Sequence, residues 1–142
     1  MRAIVPVVPL VCVLAAASLA HADEDALRAA RLVIERQIDA FLRDDGATAY
    51  SFAAPGIRAR YPNEAVFLDM VRKHYAPVYK PSSYAFGRAQ VSENGNAVVQ
   101  EVLTTGQDGR GWKAFYQLRR QRDGGYRIEG VAIVEDRVSK GI

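Results

Sequence analysis

The first candidates for chemistry in this sequence are two adjacent carboxylates, Asp44 and Asp45, which stand before Gly46. Neighbouring carboxylates can take part in acid–base chemistry or bind a hard cation. An aspartate in this position can instead cap a helix, because its carboxylate accepts hydrogen bonds from the free N–H groups of the first turn. The pair ends one amphipathic stretch and precedes another, so we expect capping.

His74 is the second candidate, and it is the one histidine in residues 23–142. It follows Met70 by four positions and Phe67 by seven, beside the apolar stripe of a predicted helix. It is either a core or pocket-edge side chain bonded to backbone, which we prefer, or a general base or ligand contact. Tyr50 and Tyr116 could supply a hydroxyl beside it, so these three residues are the catalytic candidates.

Other kinds of site have no support in the sequence. Cys12 is the single cysteine and lies in the N-terminal apolar segment, so residues 23–142 offer no thiol for a disulfide, a nucleophile or a metal. A zinc site and an EF-hand are not expected. No phosphate-binding loop, nucleophile elbow or nucleic-acid motif occurs. We therefore expect no metal, no cofactor and, at a formal net charge of +3, no nucleic-acid partner.

Residues 1–22 have the pattern of a secretory signal peptide. Arg2 precedes an apolar segment, and Ala20-His21-Ala22 is a small-x-small cleavage site. The alternative is a membrane anchor, but the segment is shorter than the ~20 apolar residues that span a bilayer and contains two prolines. We expect cleavage before Asp23, export to the periplasm or beyond the cell, and no stable membrane insertion afterwards.

Three helices are predicted in the first half of the chain, over residues 25–43, 47–53 and 63–75. The first shows one apolar face at helical spacing, formed by Leu27, Ala30, Ile34, Ile38 and Phe41. Gly46 is expected to take the left-handed conformation at its end, and Asn63 to cap the third helix. Residues 57–61 are predicted to be irregular or a single turn. Residues 76–82 are predicted to be an extended linker because they contain two prolines.

Four strands are predicted from residue 84 onwards, over residues 84–92, 97–105, 111–121 and 126–135. Asn94-Gly95, Asp108-Gly109 and Asp123-Gly124 are strong turn signals between them. Short turns imply an antiparallel meander. The fold class is therefore α+β, with three N-terminal helices packed on a curved four-stranded antiparallel sheet in a single domain, residues 23–142.

Strict alternation assigns the side chains of the last two strands to two faces. The inward set is Trp112, Ala114, Tyr116, Leu118, Tyr126, Ile128, Gly130 and Ala132. Phe115, Val131 and Ile133 then lie on the outer face, where another subunit or the chain tail could pack. Glu101 and Glu129 also point outward, although a single bulge would reverse that assignment.

Four arginines surround the last predicted hairpin: Arg119, Arg120, Arg122 and Arg127. Charges at a sheet edge block aggregation, which is the interpretation we prefer. The alternative is an anionic ligand, an acidic protein or a lipid headgroup.

Two sets of motifs carry a resemblance to known families. The pattern Ile38-x-Ala40-Phe41-x-x-Asp44-Asp45-x-x-x-Ala49-x-x-Phe52-Ala53-x-Pro55 resembles the nuclear transport factor two-like superfamily, which includes SnoaL-like and ketosteroid isomerase-like domains. Gly111-Trp112-x-Ala114-x-Tyr116-x-Leu118 and Asp123-Gly124-x-Tyr126-x-Ile128-x-Gly130 are similar to an uncharacterised bacterial family within it, domain of unknown function 4864. The resemblance implies a cone-shaped, cystatin-like fold with a pocket at its wide end.

Fold alone does not select an activity, because this superfamily is known for enzymes, binding modules and dimerisation domains. Our preferred hypothesis is an exported, non-catalytic module that binds a small apolar or anionic molecule or acts as an accessory domain. The expected ligand-binding residues are Phe52, Phe67, Met70, His74, Trp112 and Tyr116. One alternative is an isomerase- or dehydratase-type enzyme using His74 and a tyrosine. The other is a homodimeric interaction domain that associates through the outer sheet face.

Overall fold

The computed structural model describes residues 11–137, with side chains from residue 20 onwards. Helices come first and a four-stranded antiparallel sheet follows, which confirms the α+β class. The described helices are α1 (Val11–Leu42), α2 (Gly46–Ser51), α3 (Pro55–Arg60), α4 (Glu64–His74) and α5 (Ala76–Tyr79). The strands are β1 (Ser83–Val91), β2 (Ala97–Thr105), β3 (Gly111–Arg120) and β4 (Tyr126–Glu135).

Helix α1 begins at Val11 and continues without a break through Ala22, so it starts earlier than the predicted residue 25. Ala30, Ile34 and Ile38 are completely buried, because their spacing places them on one helical face. None of the helices in the described range is long and apolar enough to span a membrane. Residues 1–10 of the predicted signal peptide lie outside the described residues, and its cleavage stays a prediction.

The corner between α1 and α2 is held by both aspartates. Asp45 caps α2, since its carboxylate accepts hydrogen bonds from the backbone N–H and the hydroxyl of Thr48, at 3.1 and 2.7 Å. This confirms the capping prediction. The left-handed residue, however, is Asp44, with φ of 54°, and not Gly46 as expected. Aspartate tolerates this conformation better than most residues do.

The side chain of Asp44 contacts residues of α4 and of the C-terminal end of α5. Its carboxylate accepts hydrogen bonds from the Tyr79 hydroxyl and, at 2.8 Å, from Lys80 Nζ. Arg72 Nη2 lies 3.6 Å away. These contacts connect the left-handed residue of the corner to α4 and to the end of α5.

Two short helices lie in the segments predicted to be irregular or a single turn, residues 57–61, and extended, residues 76–82. Helix α3 covers most of residues 57–61, and α5 lies within the predicted linker 76–82. Pro55 and Pro77 each stand in the first turn, where a missing backbone N–H costs nothing. The prediction of an extended linker over residues 76–82 was wrong because proline is compatible with the first turn of a helix, whereas the short helix α3 agrees with the single turn predicted for residues 57–61. Asn63 does cap α4, as predicted, accepting from Val66 N at 2.9 Å.

The sheet has the order β1-β2-β3-β4, and every strand boundary lies within one residue of its prediction. One face is buried and the other is exposed. On β2, Val98 and Val102 are buried, whereas the intervening Val99 and the following Leu103 are each 39% exposed. The helical layer therefore covers a single face of the sheet.

A β-bulge in β4 changes which side chains face the core. Leu118 pairs with Ile128 but Gln117 pairs with Gly130, so Glu129 is an extra residue. Beyond it, Val131 and Ile133 pack against the core. The prediction that Gly130 and Ala132 point inward, with Val131 and Ile133 outward, was wrong because one inserted residue inverts the alternation.

We expect Asp44→Asn to lower the melting temperature at neutral pH, with a difference from wild type that disappears in acid. Hydrogen bonds from Lys80 and then Tyr79 hold the pKa of Asp44 below its usual value of 3.8. The stabilisation is therefore present above the unfolded-state pKa and is lost as the pH falls through the lower folded-state value. Thermal unfolding followed by circular dichroism from about pH 7 to about pH 2 measures this.

Asp69→Asn is the matched control for this prediction. Asp69 forms an exposed pair with Lys73 within one helix, at 2.8 Å, and such pairs contribute little. Asparagine also accepts the left-handed backbone, so the Asp44 substitution tests the charge and not the conformation. Equal melting temperatures for wild type and Asp44→Asn at neutral pH would contradict the prediction.

Candidate functional site

A cavity of about 210 Å³ lies between the helical layer and β4. For comparison, an apolar cavity of ~150 Å³ in another protein holds benzene. In the present protein, most of the residues that line the cavity are apolar or aromatic: Phe41, Ile57, Tyr61, Phe67, Met70, Val71, Tyr75, Val78, Ile128, Gly130 and Val131. Gln37, Arg60 and Glu129 complete it. The cavity can therefore bury an apolar molecule and offer it a few polar contacts.

The floor of the cavity is positioned by backbone hydrogen bonds at the edge of β4. Ile128 N donates to Phe52 O, and Ile128 O accepts from Ala54 N, both at 2.8 Å. These bonds attach the connection between α2 and α3 to the strand one residue before the bulge. Helix α3 is thereby held beside β4, and the cavity lies next to this attachment.

Phe41 and Phe67 form an aromatic wall of the cavity, and Tyr50 packs against Phe67 from outside the lining. The rings of Phe41 and Phe67 are stacked with centroids 6.2 Å apart, and the ring of Tyr50 lies 5.3 Å from that of Phe67. Phe41 and Phe67 are almost fully buried. They come from α1 and α4, so their contact joins two helices and fixes the shape of the wall.

Two of the three lining side chains that carry an amide or a charge are bound to neighbours within the protein. Gln37 is only 4% exposed, and its side-chain nitrogen donates to Ala49 O at 3.1 Å. The carboxylate of Glu129 accepts hydrogen bonds from Arg119 Nε at 3.1 and 3.2 Å. Arg60 differs from both, since it is exposed and has no ion pair or hydrogen bond in the described part of the chain.

The six expected ligand-binding residues do not share one site. Phe67 and Met70 line the cavity, whereas His74 is exposed at the end of α4 and outside the lining. Trp112 lines a second pocket, which includes Tyr84. The remaining two residues, Phe52 and Tyr116, belong to the hydrophobic core.

The three catalytic candidates lie apart from the cavity lining. Tyr50 donates its hydroxyl hydrogen bond to Tyr61 O at 2.6 Å, which joins α2 to the residue that follows α3. The hydroxyl of Tyr116 is completely buried and has no hydrogen-bond partner among the described residues. Burial raises the pKa of Tyr116, so this hydroxyl stays neutral.

The sequence reasoning missed Gln37 and Arg60. Gln37 had a signal, because it follows Ile34 by three positions and precedes Phe41 by four, so it is a polar residue inside an apolar stripe. No sequence signal indicated Arg60, since it lies in a segment predicted to be irregular or a single turn. Among the described side chains, no group of three or more His, Cys, Asp or Glu residues is placed to hold a metal ion.

Tyr116→Phe should leave the free energy of unfolding unchanged or raise it by up to about 1–3 kcal/mol, as measured by urea denaturation. A buried hydroxyl without a partner loses its hydration and gains nothing in return. Tyr126→Phe is the matched control and should lower the same free energy by about 0.5–1.5 kcal/mol. The Tyr126 hydroxyl donates to Gly95 O and accepts from Arg120 Nη2. A clear loss of stability in Tyr116→Phe would mean that its hydroxyl has a partner, such as an internal water.

Comparison with known proteins places the chain in a family. No curated protein matches it. Residues 21–141 match the family described as Domain of unknown function (DUF4864). The match includes α2 to α5, all four strands and residues 21–42 of α1, which contain the buried face. The cavity lining falls entirely inside it. The chain therefore belongs to the DUF4864 family.

Proposed function

We propose that this protein is a non-catalytic module that binds a small molecule in the cavity between the helices and β4. The observation that carries this proposal is the cavity of about 210 Å³ with its stacked aromatic wall. Small-molecule sites are typically concave and mainly apolar, with a few polar groups that set orientation. The cavity has this character.

The lining favours binding over catalysis. General acid–base chemistry most often uses a histidine or a free carboxylate within hydrogen-bond reach of the reacting atoms. The Glu129 carboxylate is occupied by Arg119, and His74 lies outside the lining. The walls offer packing and orientation, which is what a binding module requires.

We also propose that the protein is exported and that it has a nuclear transport factor two-like fold. Export follows from the signal-peptide pattern of residues 1–22, and the mature module would begin at Asp23. A nuclear transport factor two-like cone is supported by the helices that cover one face of an antiparallel sheet. In such a cone, the cavity would be the pocket.

Neutral aromatic probes such as toluene and indole should raise the melting temperature of the wild-type protein, and Met70→Trp should weaken their binding at least about tenfold. Met70 is a half-buried lining residue, so the larger ring would occupy the cavity. Thermal-shift and calorimetric titrations measure the effect, because a ligand that binds only the folded state stabilises it.

Val66→Trp is the control, on the same helix but 46% exposed and outside the lining. It should bind the probes as wild type does. Circular dichroism checks that both variants are folded. If no probe stabilises the wild type, or if both variants bind equally well, the cavity is not a ligand site.

A second candidate function is self-association through the outer sheet face. We define this face by Val99, Leu103, Phe115, Ala132 and Val134. Val134 is 49% exposed, and Ala132 pairs with Phe115 across the strands. Val131 and Ile133, which the sequence assigned to this face, point into the core instead.

The charges on the outer sheet face favour a second copy of the chain as the partner. Lys113 Nζ lies 3.9 Å from Glu101 Oε1, and Arg119 is paired with Glu129. Because these charges are paired within one chain, the face can be buried against an identical face without an oppositely charged partner.

Leu103→Glu should shift the protein towards the monomer in sedimentation velocity experiments over a range of concentrations. In a two-fold interface the same face of both subunits is buried, so the substitution would bring the two introduced carboxylates close together. Leu32→Glu is the control, since Leu32 on α1 is similarly exposed at 42% and lies away from the sheet. A wild-type protein that remains monomeric at the highest concentration would exclude this function.

A further inference from the structure

We infer that the cavity ligand is a small organic acid, with its apolar body against the aromatic wall and its carboxylate at Arg60. This inference rests on the proposed binding function and adds the charge of the ligand and the residue that recognises it. It depends on how the charges around the cavity are paired.

Among the described lining residues, Arg60 is the one charged residue that has no oppositely charged partner. Arg60 lies in the last turn of α3, and its guanidinium makes no ion pair or hydrogen bond in the described range. Arg58 on the same helix is different, because it donates to Ala53 O and Ser51 O at 3.2 and 3.1 Å. The guanidinium of Arg58 therefore stabilises the connection between α2 and α3, whereas that of Arg60 has no such hydrogen bonds among the described residues.

Glu129 does not neutralise Arg60. It is the one acidic residue in the described lining, and its two carboxylate oxygens both bind Arg119. A cation at the rim of an apolar cavity attracts anions more strongly than one in open water, because the local dielectric is lower.

The chemistry of the guanidinium selects a carboxylate. Arginine is always protonated and donates two parallel hydrogen bonds to a carboxylate. Tyr61 and Tyr75 also line the cavity, and their hydroxyl groups have no hydrogen-bond partner in the described part of the chain. They are further donors for an anionic oxygen.

The volume of the cavity limits the body of the acid. About 210 Å³ accommodates a single ring or a comparably short alkyl chain. The contacts available to this body are Phe41, Phe67 and Val71, all apolar and buried. A monocarboxylate of this size stays ionised near neutral pH, since carboxylic acids titrate near pH 4.

Three probes with one phenyl ring and different head groups test the inference: phenylacetate, 2-phenylethanol and 2-phenylethylamine. Calorimetric titration of the wild-type protein should give phenylacetate at least about tenfold tighter binding than the alcohol, with the amine weakest. Arg60→Gln should remove the preference for phenylacetate, so that the acid and the alcohol bind with similar affinity. Arg60→Lys should retain part of the preference, because the charge remains but the paired geometry is lost.

Arg36→Gln is the control for overall charge. Arg36 is exposed on α1, outside the cavity lining, and its loss should leave the preference for phenylacetate intact. Equal binding of acid and alcohol by the wild type would overturn the inference while leaving the proposed binding function in place. A preference that survives in Arg60→Gln would also overturn it. If none of these probes binds, and neutral aromatics fail as well, the proposed function itself is wrong.

Discussion

The structure depends on the double attachment of Ile128. Its backbone pairs with Leu118 of β3 on one side and with Phe52 and Ala54 on the other, while its side chain is almost fully buried. Ile128 therefore connects the segment between α2 and α3 to the sheet. Glu129 follows as the bulge, and a bulge bends its strand and increases the local twist. The cavity lies where the helices meet this disturbed part of β4, so the attachment also locates the candidate site.

Apolar burial stabilises the fold, and the charges mainly set geometry. Each fully buried side chain such as Ile34 or Ile38 contributes about 1.5–3 kcal/mol, whereas exposed ion pairs contribute about 0–1 kcal/mol. Asp44 illustrates the second role. Its partners, Tyr79 and Lys80, hold a left-handed backbone conformation at the corner between α1 and α2. That corner directs α2 back along α1, and Gln37 joins the two helices by its bond to Ala49.

The same bulge bears on both proposed functions, because they use opposite faces of one sheet. Without the extra residue, Val131 would point outward and add to the outer sheet face. With it, Val131 lines the cavity, and Ala132 takes the exposed position opposite Phe115. Ligand binding and self-association would therefore use different apolar side chains, although Glu129 belongs to the cavity lining and pairs with Arg119 on the outer sheet face. The bulge residue itself, Glu129, is paired with Arg119, which leaves Arg60 as the uncompensated charge among the described lining residues.

The sequence alone determined the features that depend on neighbours along the chain. The buried face of α1, the caps Asp45 and Asn63, and the strand boundaries all follow from local spacing and turn residues, and the structure confirms them. Only the tertiary structure decided that Pro55 begins a helix, that β4 contains a bulge, and that Gln37 and Arg60 meet at one cavity. A bulge leaves the strand pattern on either side of it intact, so alternation cannot reveal where the inversion occurs. A cavity is formed by residues distant in sequence, and its position follows from how the helices pack against the edge of β4.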